Sequence, residues 1–264
     1  MIKINGHIYQ PEYFPDGSLK LRCDVKGDKV LLQWKFETNE EMIILYFLTN
    51  HLRRVCKVNT MSLHMPYIPN ARMDRVKKED EIFTLKYFSE FLNSLKFDSV
   101  HVEDAHSPVS LALLDNVISD DIISAVKSLA EELLTDEKDI LFFPDEGSSK
   151  RYSEAFQRKS AFGIKKRDWR SGNILGLDIS RNDLEQGFNA LIVDDICSYG
   201  GTFYHSAKKL KEMGANHIWL YVTHCENSVL KGDLIKSGLI EKLYTTDSIF
   251  TEKNEFVEIL ERGE

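Results

Sequence analysis

Three stretches of this chain are apolar without alternation: "LFF" inside "DILFFPD" (139 to 145), "ALIV" inside "ALIVDD" (190 to 195) and "IWLYV" inside "HIWLYVTH" (217 to 224). A strand with one face in water alternates apolar and polar residues, whereas a strand apolar throughout must be covered on both faces. That is the signature of a parallel sheet with helices packed on either side. Three further runs, "KVLLQW" (29 to 34), "RVCKVNTMSLHMPY" (54 to 67) and "SVHVED" (99 to 104), also read as strands. Helical periodicity is clear in "NEEMIILYFLTNHLRR" (39 to 54), "EDEIFTLKYFSEFLNSL" (79 to 95) and "DDIISAVKSLAEELL" (120 to 134), where apolar residues recur at three- and four-residue steps. Strands alternating with helices predict an α/β chain. The alternation occurs twice in 264 residues, which predicts two domains, 1–118 and 119–264, each a mainly parallel sheet flanked by helices.

Ligands of open α/β sheets bind at the carboxyl ends of strands. Both halves end strands in Asp-containing turns there: "VEDAH" in the first, "FPDEG" and "VDDIC" in the second. The strongest such signal is "ALIVDDICSYGGTFYHSAKKLK", in which a buried strand delivers Asp194 and Asp195, a short loop follows, and a helix begins near Thr202. The first amides of a helix have no carbonyl partner within it, so they suit a phosphate. Gly200 and Gly201 let the backbone approach a ligand closely. Paired carboxylates beside such a loop can accept hydrogen bonds from sugar hydroxyls and hold Mg²⁺ directly or through water. Capping and turning alone would account for the same residues singly, but not for their occurring together in this order.

Composition narrows the remaining classes. A net charge of −8 argues against general nucleic-acid binding, which needs an excess of Lys and Arg. Local basic stretches suited to small phosphates remain: "ARMDRVKK", "SSKRY", "RKSAFGIKKRDWR" and "SAKKLK". No apolar run reaches the eighteen or so residues of a membrane span, and the opening "MIKINGHIYQPEYF" lacks a secretory pattern, so the expectation is a cytoplasmic protein. Four scattered cysteines without a C-x-x-C pair suggest neither a disulfide framework nor a zinc knuckle.

Apolar strand, acid pair, loop and Gly-Gly-Thr together resemble the type I phosphoribosyltransferase superfamily. Within it, "MPYIPNARMDR" (65 to 75) resembles a signature of the ribose-phosphate pyrophosphokinases that base-salvage transferases lack. "VHVEDAH" matches that family's Asp-x-His at a strand end, with Asp104 and His106 in place and Ala105 where Leu is usual. "FFPDEG" is similar to its Pro-Asp-x-Gly turn, and "YVTHCENS" to its Thr-His strand end. "YFPDGSLKL" resembles its nucleotide loop, with Ser18 in place of Glu. Met73, Ser198 and Tyr199 stand where Gln, an acid and Thr are usual.

The resemblance implies two phosphoribosyltransferase-like domains related by pseudo-twofold symmetry, with the last helix packing back on the first domain, and an active site between the domains. It implies transfer of the diphosphate of ATP to ribose 5-phosphate, with Mg²⁺, in a homo-oligomer with neither nucleic acid nor membrane as partner. It assigns Lys165, Arg167 and His106 to catalysis, the first two on a mobile loop. ATP would meet Phe14, Asp16, Arg72, Asp74, Arg75 and His106. Ribose 5-phosphate would meet Asp194, Asp195, Ser198, Tyr199, Gly200, Gly201 and Thr202, and metal would meet His106, Asp145, Asp194 and Asp195. Two alternatives stay open: a nucleobase-salvage phosphoribosyltransferase, and a regulatory paralogue without activity.

Overall fold

A computed structural model describes residues 1–120, 122–167 and 174–260, with the side chains of 165–167 and 174–176 excepted. The chain divides into two compact units, Met1–Asp121 and Ile122–Glu264. In the first, β1 (Ile2–Ile4), β2 (His7–Ile8), the small hairpin β3 (Glu12–Tyr13) and β4 (Leu19–Lys20), and β5 (Lys29–Trp34) precede helix α1 (Glu40–Arg54). They are followed by β6 (Thr60–His64), α2 (Thr84–Ser94), β7 (Ser99–Glu103), α3 (Pro108–Leu113) and β8 (Val117–Asp120). The sheet order is β2-β1-β5-β6-β7-β8, parallel from β5 to β8 and antiparallel at β1 and β2.

Helix α1 turns Ile44, Leu45, Leu48 and Leu52 inward at the three- and four-residue steps the sequence shows. Its acids lie in the first turn and Arg53 and Arg54 in the last, each opposing the sign of the backbone dipole there. Buried Glu41 accepts from Trp34 Nε1 at 2.9 Å and from the Glu37 amide at 2.8 Å, so its charge is compensated.

The second unit runs α4 (Ile123–Leu133), β9 (Ile140–Phe143), α5 (Glu146–Tyr152), β10 (Ser160–Arg167), β11 (Ile174–Ile179) and β12 (Ala190–Cys197). It continues through α6 (Gly201–Glu212), β13 (Ile218–Cys225), α7 (Asp233–Lys236), β14 (Leu243–Thr245) and β15 (Val257–Ile259). Sheet order is β11-β10-β9-β12-β13-β14-β15, with only β11 antiparallel. The unalternating runs occupy β9, β12 and β13 at its centre. One face buries Phe142, Ile192 and Leu220 and the other Phe143, Val193 and Tyr221, so the requirement for cover on both sides is met. The expected fold class, mainly parallel sheets flanked by helices, is what the two units show.

One expectation is corrected. The resemblance assigns Lys165 and Arg167 to a loop, but their backbones lie in β10, paired with Leu177 and Ile174 of β11. The β-branched and apolar residues on either side of the basic run extend it into an antiparallel hairpin, and the ladder shifts register between Lys166 and Arg167. The remainder of that basic stretch lies outside the described residues. The last described element is a strand, β15, added in parallel to β14. Short strands of this kind carry too few residues to show a period. Among the described residues no helix is long and apolar enough to cross a membrane.

Candidate active site

Strand β12 is central, hydrogen-bonded to β9 on one side and β13 on the other, and it carries the acid pair out at its carboxyl end. Asp195 is buried, at 4% exposure, and Arg151 Nη1 lies 3.4 Å from its Oδ2. The Asp194 carboxyl is pushed well above the usual carboxylate range, first by desolvation, then by the negative charge of Asp195 and, further off, of Asp145. Asp145 follows β9 and caps α5, its carboxylate accepting from the Ser148 amide at 3.1 Å. Asp145 and the acid pair thus stand at the carboxyl ends of neighbouring strands β9 and β12, with the Arg151 guanidinium against Asp195. Sequence reasoning placed Arg151 only within a basic stretch. Its position six residues beyond Asp145, in the last turn of the helix Asp145 caps, is the signal that could have singled it out.

The loop after β12 completes this end of the sheet. Gly200 has φ +81° and ψ 10°, a left-handed conformation that disfavours any side chain, and it opens α6 by accepting from the Tyr204 amide at 2.9 Å. An added Cβ there would lie 2.8 Å from the Leu234 side chain, so glycine is required twice over. A Cβ at Gly201 would meet nothing within 4 Å, which leaves open space at the start of the helix. Left-handed Gly200 followed by helical Gly201 turns successive amides toward one point, a concavity suited to an anion. Thr202 and Tyr199 are exposed and Ser198 is half-buried.

In the first unit, the "MPYIPNARMDR" loop is clipped over the ends of β6 and β7. The Met65 amide donates to His101 O at 2.8 Å and the Glu103 amide to Pro66 O at 3.0 Å. Met65, Ile68 and Ala71 are buried beneath it, leaving Arg72 and Arg75 exposed. Arg75 grips buried Asp74 with both prongs, Nε to Oδ1 at 2.8 Å and Nη2 to Oδ2 at 2.9 Å. These bonds, with the nearby charges of Arg75 and His106, hold the Asp74 carboxyl below its ordinary range. The loop is thus brought up to half-buried His106, which the backbone reaches through Asp104 at φ +40°. Each oxygen of Asp74 accepts one bond from Arg75, so in this state the loop salt bridge exists and holds both groups together.

The β3–β4 hairpin presents Phe14, half exposed, with Lys20 Nζ 5.9 Å from its ring centre. Asp16 Oδ1 accepts from both the Ser18 amide, at 2.9 Å, and the Ser18 hydroxyl, at 2.7 Å, and these bonds hold its carboxyl below the ordinary range. The departure at Ser18 therefore has a local consequence: it turns one oxygen of Asp16 inward. No three His, Cys, Asp or Glu side chains among the described residues converge closely enough to hold a metal by themselves.

No family model matches this sequence. It is similar to the ribose-phosphate pyrophosphokinase of Pyrococcus furiosus, 28% identical over 236 residues that span 87% of this chain and 79% of that one. The enzyme of the same description from Thermosipho africanus is 29% identical over 245 residues, 89% of this chain and 76% of that one. Ribose-phosphate pyrophosphokinase 2 of Archaeoglobus fulgidus is 27% identical over 94% of this chain and 86% of its own length. Among solved structures, phosphoribosylpyrophosphate synthetase from Mycobacterium smegmatis superposes with a TM-score of 0.79, covering 96% of this chain and 85% of that one at 20% identity. The likeness to that structure concerns the fold.

Proposed function

We infer that this chain is a ribose-phosphate pyrophosphokinase, which moves the β,γ-diphosphate of ATP to the 1-hydroxyl of ribose 5-phosphate and releases AMP. The observation that carries it is a similarity to enzymes of that description running through both units, combined with an acid pair and an anion-receiving glycine loop at one strand end. The amides of Gly200, Gly201 and Thr202, with the hydroxyl groups of Ser198, Tyr199 and Thr202 at hand, would receive the 5-phosphate. Asp194 and Asp195 would accept from the ribose hydroxyls and hold the 1-oxygen in line with the β-phosphorus, and positioning of that kind supplies much of such a rate. Phe14 would stack on adenine and the outer oxygen of Asp16 would accept from its amino group. Arg72 would bind phosphate oxygens, and Arg75 would join it once Asp74 releases its fork. Lys165 and Arg167 would stabilise the charge that grows on the transferring group.

The carboxylates suit a divalent cation. Asp194 is crowded by like charge, and Mg²⁺ characteristically takes one or two carboxylates and fills its remaining positions with water and substrate phosphate. Asp194, Asp195 and Asp145 would hold it on the sugar side and His106 on the nucleotide side, where it would neutralise the triphosphate. A cytoplasmic homo-oligomer is part of the same reading.

Phosphorus NMR of the purified protein with ATP, Mg²⁺ and ribose 5-phosphate tests it. Sugar-dependent appearance of AMP and phosphoribosyl pyrophosphate in equal amounts is expected. A preparation that binds ribose 5-phosphate yet makes no AMP would sink it.

A further inference from the structure

The segment after β13 backs the glycine loop, and one residue in it has no side chain for a reason that local backbone geometry does not supply. Gly232 has φ −79° and ψ 173°, an extended conformation open to every amino acid. A Cβ there would nevertheless overlap the carbonyl oxygen of Tyr199 and lie 2.9 Å from its carbonyl carbon. Two residues on, the buried Leu234 side chain fills the space beside Gly200. The segment itself is firmly held. The Glu226 amide donates to Cys197 O at 2.8 Å, Val229 and Leu234 are fully buried, and the Asn227 side chain both donates to Thr251 Oγ1 at 2.7 Å and accepts from the Thr251 amide at 3.1 Å.

We propose that Gly232 is a positioning residue for the sugar-phosphate loop: its bare backbone presses on the Tyr199 carbonyl and thereby sets which way the Gly200 amide points. The reason is the planar trans peptide, in which C=O and N–H point in opposite directions. With the Tyr199 carbonyl directed at Gly232, the N–H of Gly200 is directed away from the segment, where it joins those of Gly201 and Thr202. A methyl group at residue 232 must push that peptide aside or rotate it, and either movement turns a donor away from the phosphate. Loss of one hydrogen bond to a charged phosphate costs on the order of ten- to a hundredfold in affinity.

This inference rests on the proposed ribose 5-phosphate site, and its test separates the two. Ribose 5-phosphate and inorganic phosphate are titrated into the full chain and into Gly232→Ala, following the amide resonances of Gly200 and Gly201 by NMR, with steady-state KM for sugar and for ATP measured beside them. The expected result is a loss of ten-fold or more in affinity for both phosphates, a matching rise in sugar KM, and an ATP KM and a kcat at saturating sugar within threefold of wild type. Since Gly232→Ala could fail to fold, Thr251→Val provides a second variant. It removes the surface hydroxyl that accepts from Asn227 and loosens the segment without a clash, and a two- to fourfold rise in sugar KM alone is expected. Unchanged phosphate affinity in these variants, or equal rises in both KM values, overturns the role of Gly232. A wild-type protein that binds both phosphates at these amides and makes no AMP overturns the pyrophosphokinase reading and leaves this one standing.

Discussion

The acids of the two units are treated in opposite ways. In the first, Asp74 is clamped by Arg75 and Asp16 is bonded twice by Ser18, and both carboxyls are held below their ordinary range. In the second, Asp194 sits beside Asp195 and near Asp145 in a desolvated place, and its carboxyl is pushed up. The first arrangement stabilises charge that is already present; the second holds negative charge closer together than the fold alone would favour. Such a cluster costs stability in the empty protein and gains most from a cation or a hydroxyl-rich ligand. The difference separates acids already matched by local donors from acids crowded by like charge, and on the proposed reading the second group is the one that would meet sugar and metal.

Several substitutions would break or sharpen that contrast. The largest effect is expected from Asp195→Asn, which keeps shape and removes charge. It should lower kcat/KM by about a hundredfold or more, with weaker ribose 5-phosphate binding measured by calorimetry, because it removes a contact to both sugar and metal. Unchanged sugar affinity would contradict the placement of the acid pair.

Asp194→Asn should likewise cripple turnover while raising the melting temperature of the ligand-free protein by roughly 2–4 °C near neutral pH. The sign follows from the raised carboxyl. Ionising Asp194 is harder in the folded chain than in the unfolded one, so stability is lost as pH rises from the unfolded pKa toward the folded one. The asparagine removes that cost, and the advantage should vanish below about pH 4, where both states hold the proton. A variant less stable than wild type at pH 7 would show that Asp194 is already compensated.

Asp74→Asn should do the reverse. A lowered carboxyl contributes stability above the unfolded pKa and loses it as pH falls through the folded value, so this variant should melt lower at pH 7 and match wild type in acid. Because Arg75 is largely exposed, the loss should be on the order of 1 °C. The smallest effect is expected from Ser18→Ala, which removes the hydroxyl bond to Asp16 Oδ1 and leaves the amide bond in place. A change in ATP KM of up to about threefold, with sugar KM unmoved, is expected from a single hydrogen bond of about 1 kcal/mol or less; a change in sugar KM would place that hairpin elsewhere in the mechanism.

The parts of the molecule legible in the sequence are those whose physics is local. Strands β9, β12 and β13 announce themselves because a strand covered on both faces has to be apolar throughout, and α1 because its inward residues repeat each turn. Strand β8 does not: it lies at the sheet edge, mostly exposed, and "VISD" has no apolar face to show. The acid pair and Gly200 were readable from one short stretch. The meeting of Arg151 with Asp195 and of Gly232 with Tyr199 was not, since each joins segments that only the folded sheet brings together.

The glycine loop holds its proposed ligand through main-chain amides, while the side chain of Tyr199 stands 61% exposed to solvent. A grip of that kind belongs to the path of the chain and not to the alphabet written along it. On the proposed reading, exchanging letters at residues 198 and 199 would cost single hydroxyl contacts, whereas a methyl group behind the loop would turn the main chain itself. A comparison of letters therefore weighs the drift at 198 and 199 like any other, and it does not show that the bare positions 200 and 232 belong to one handhold.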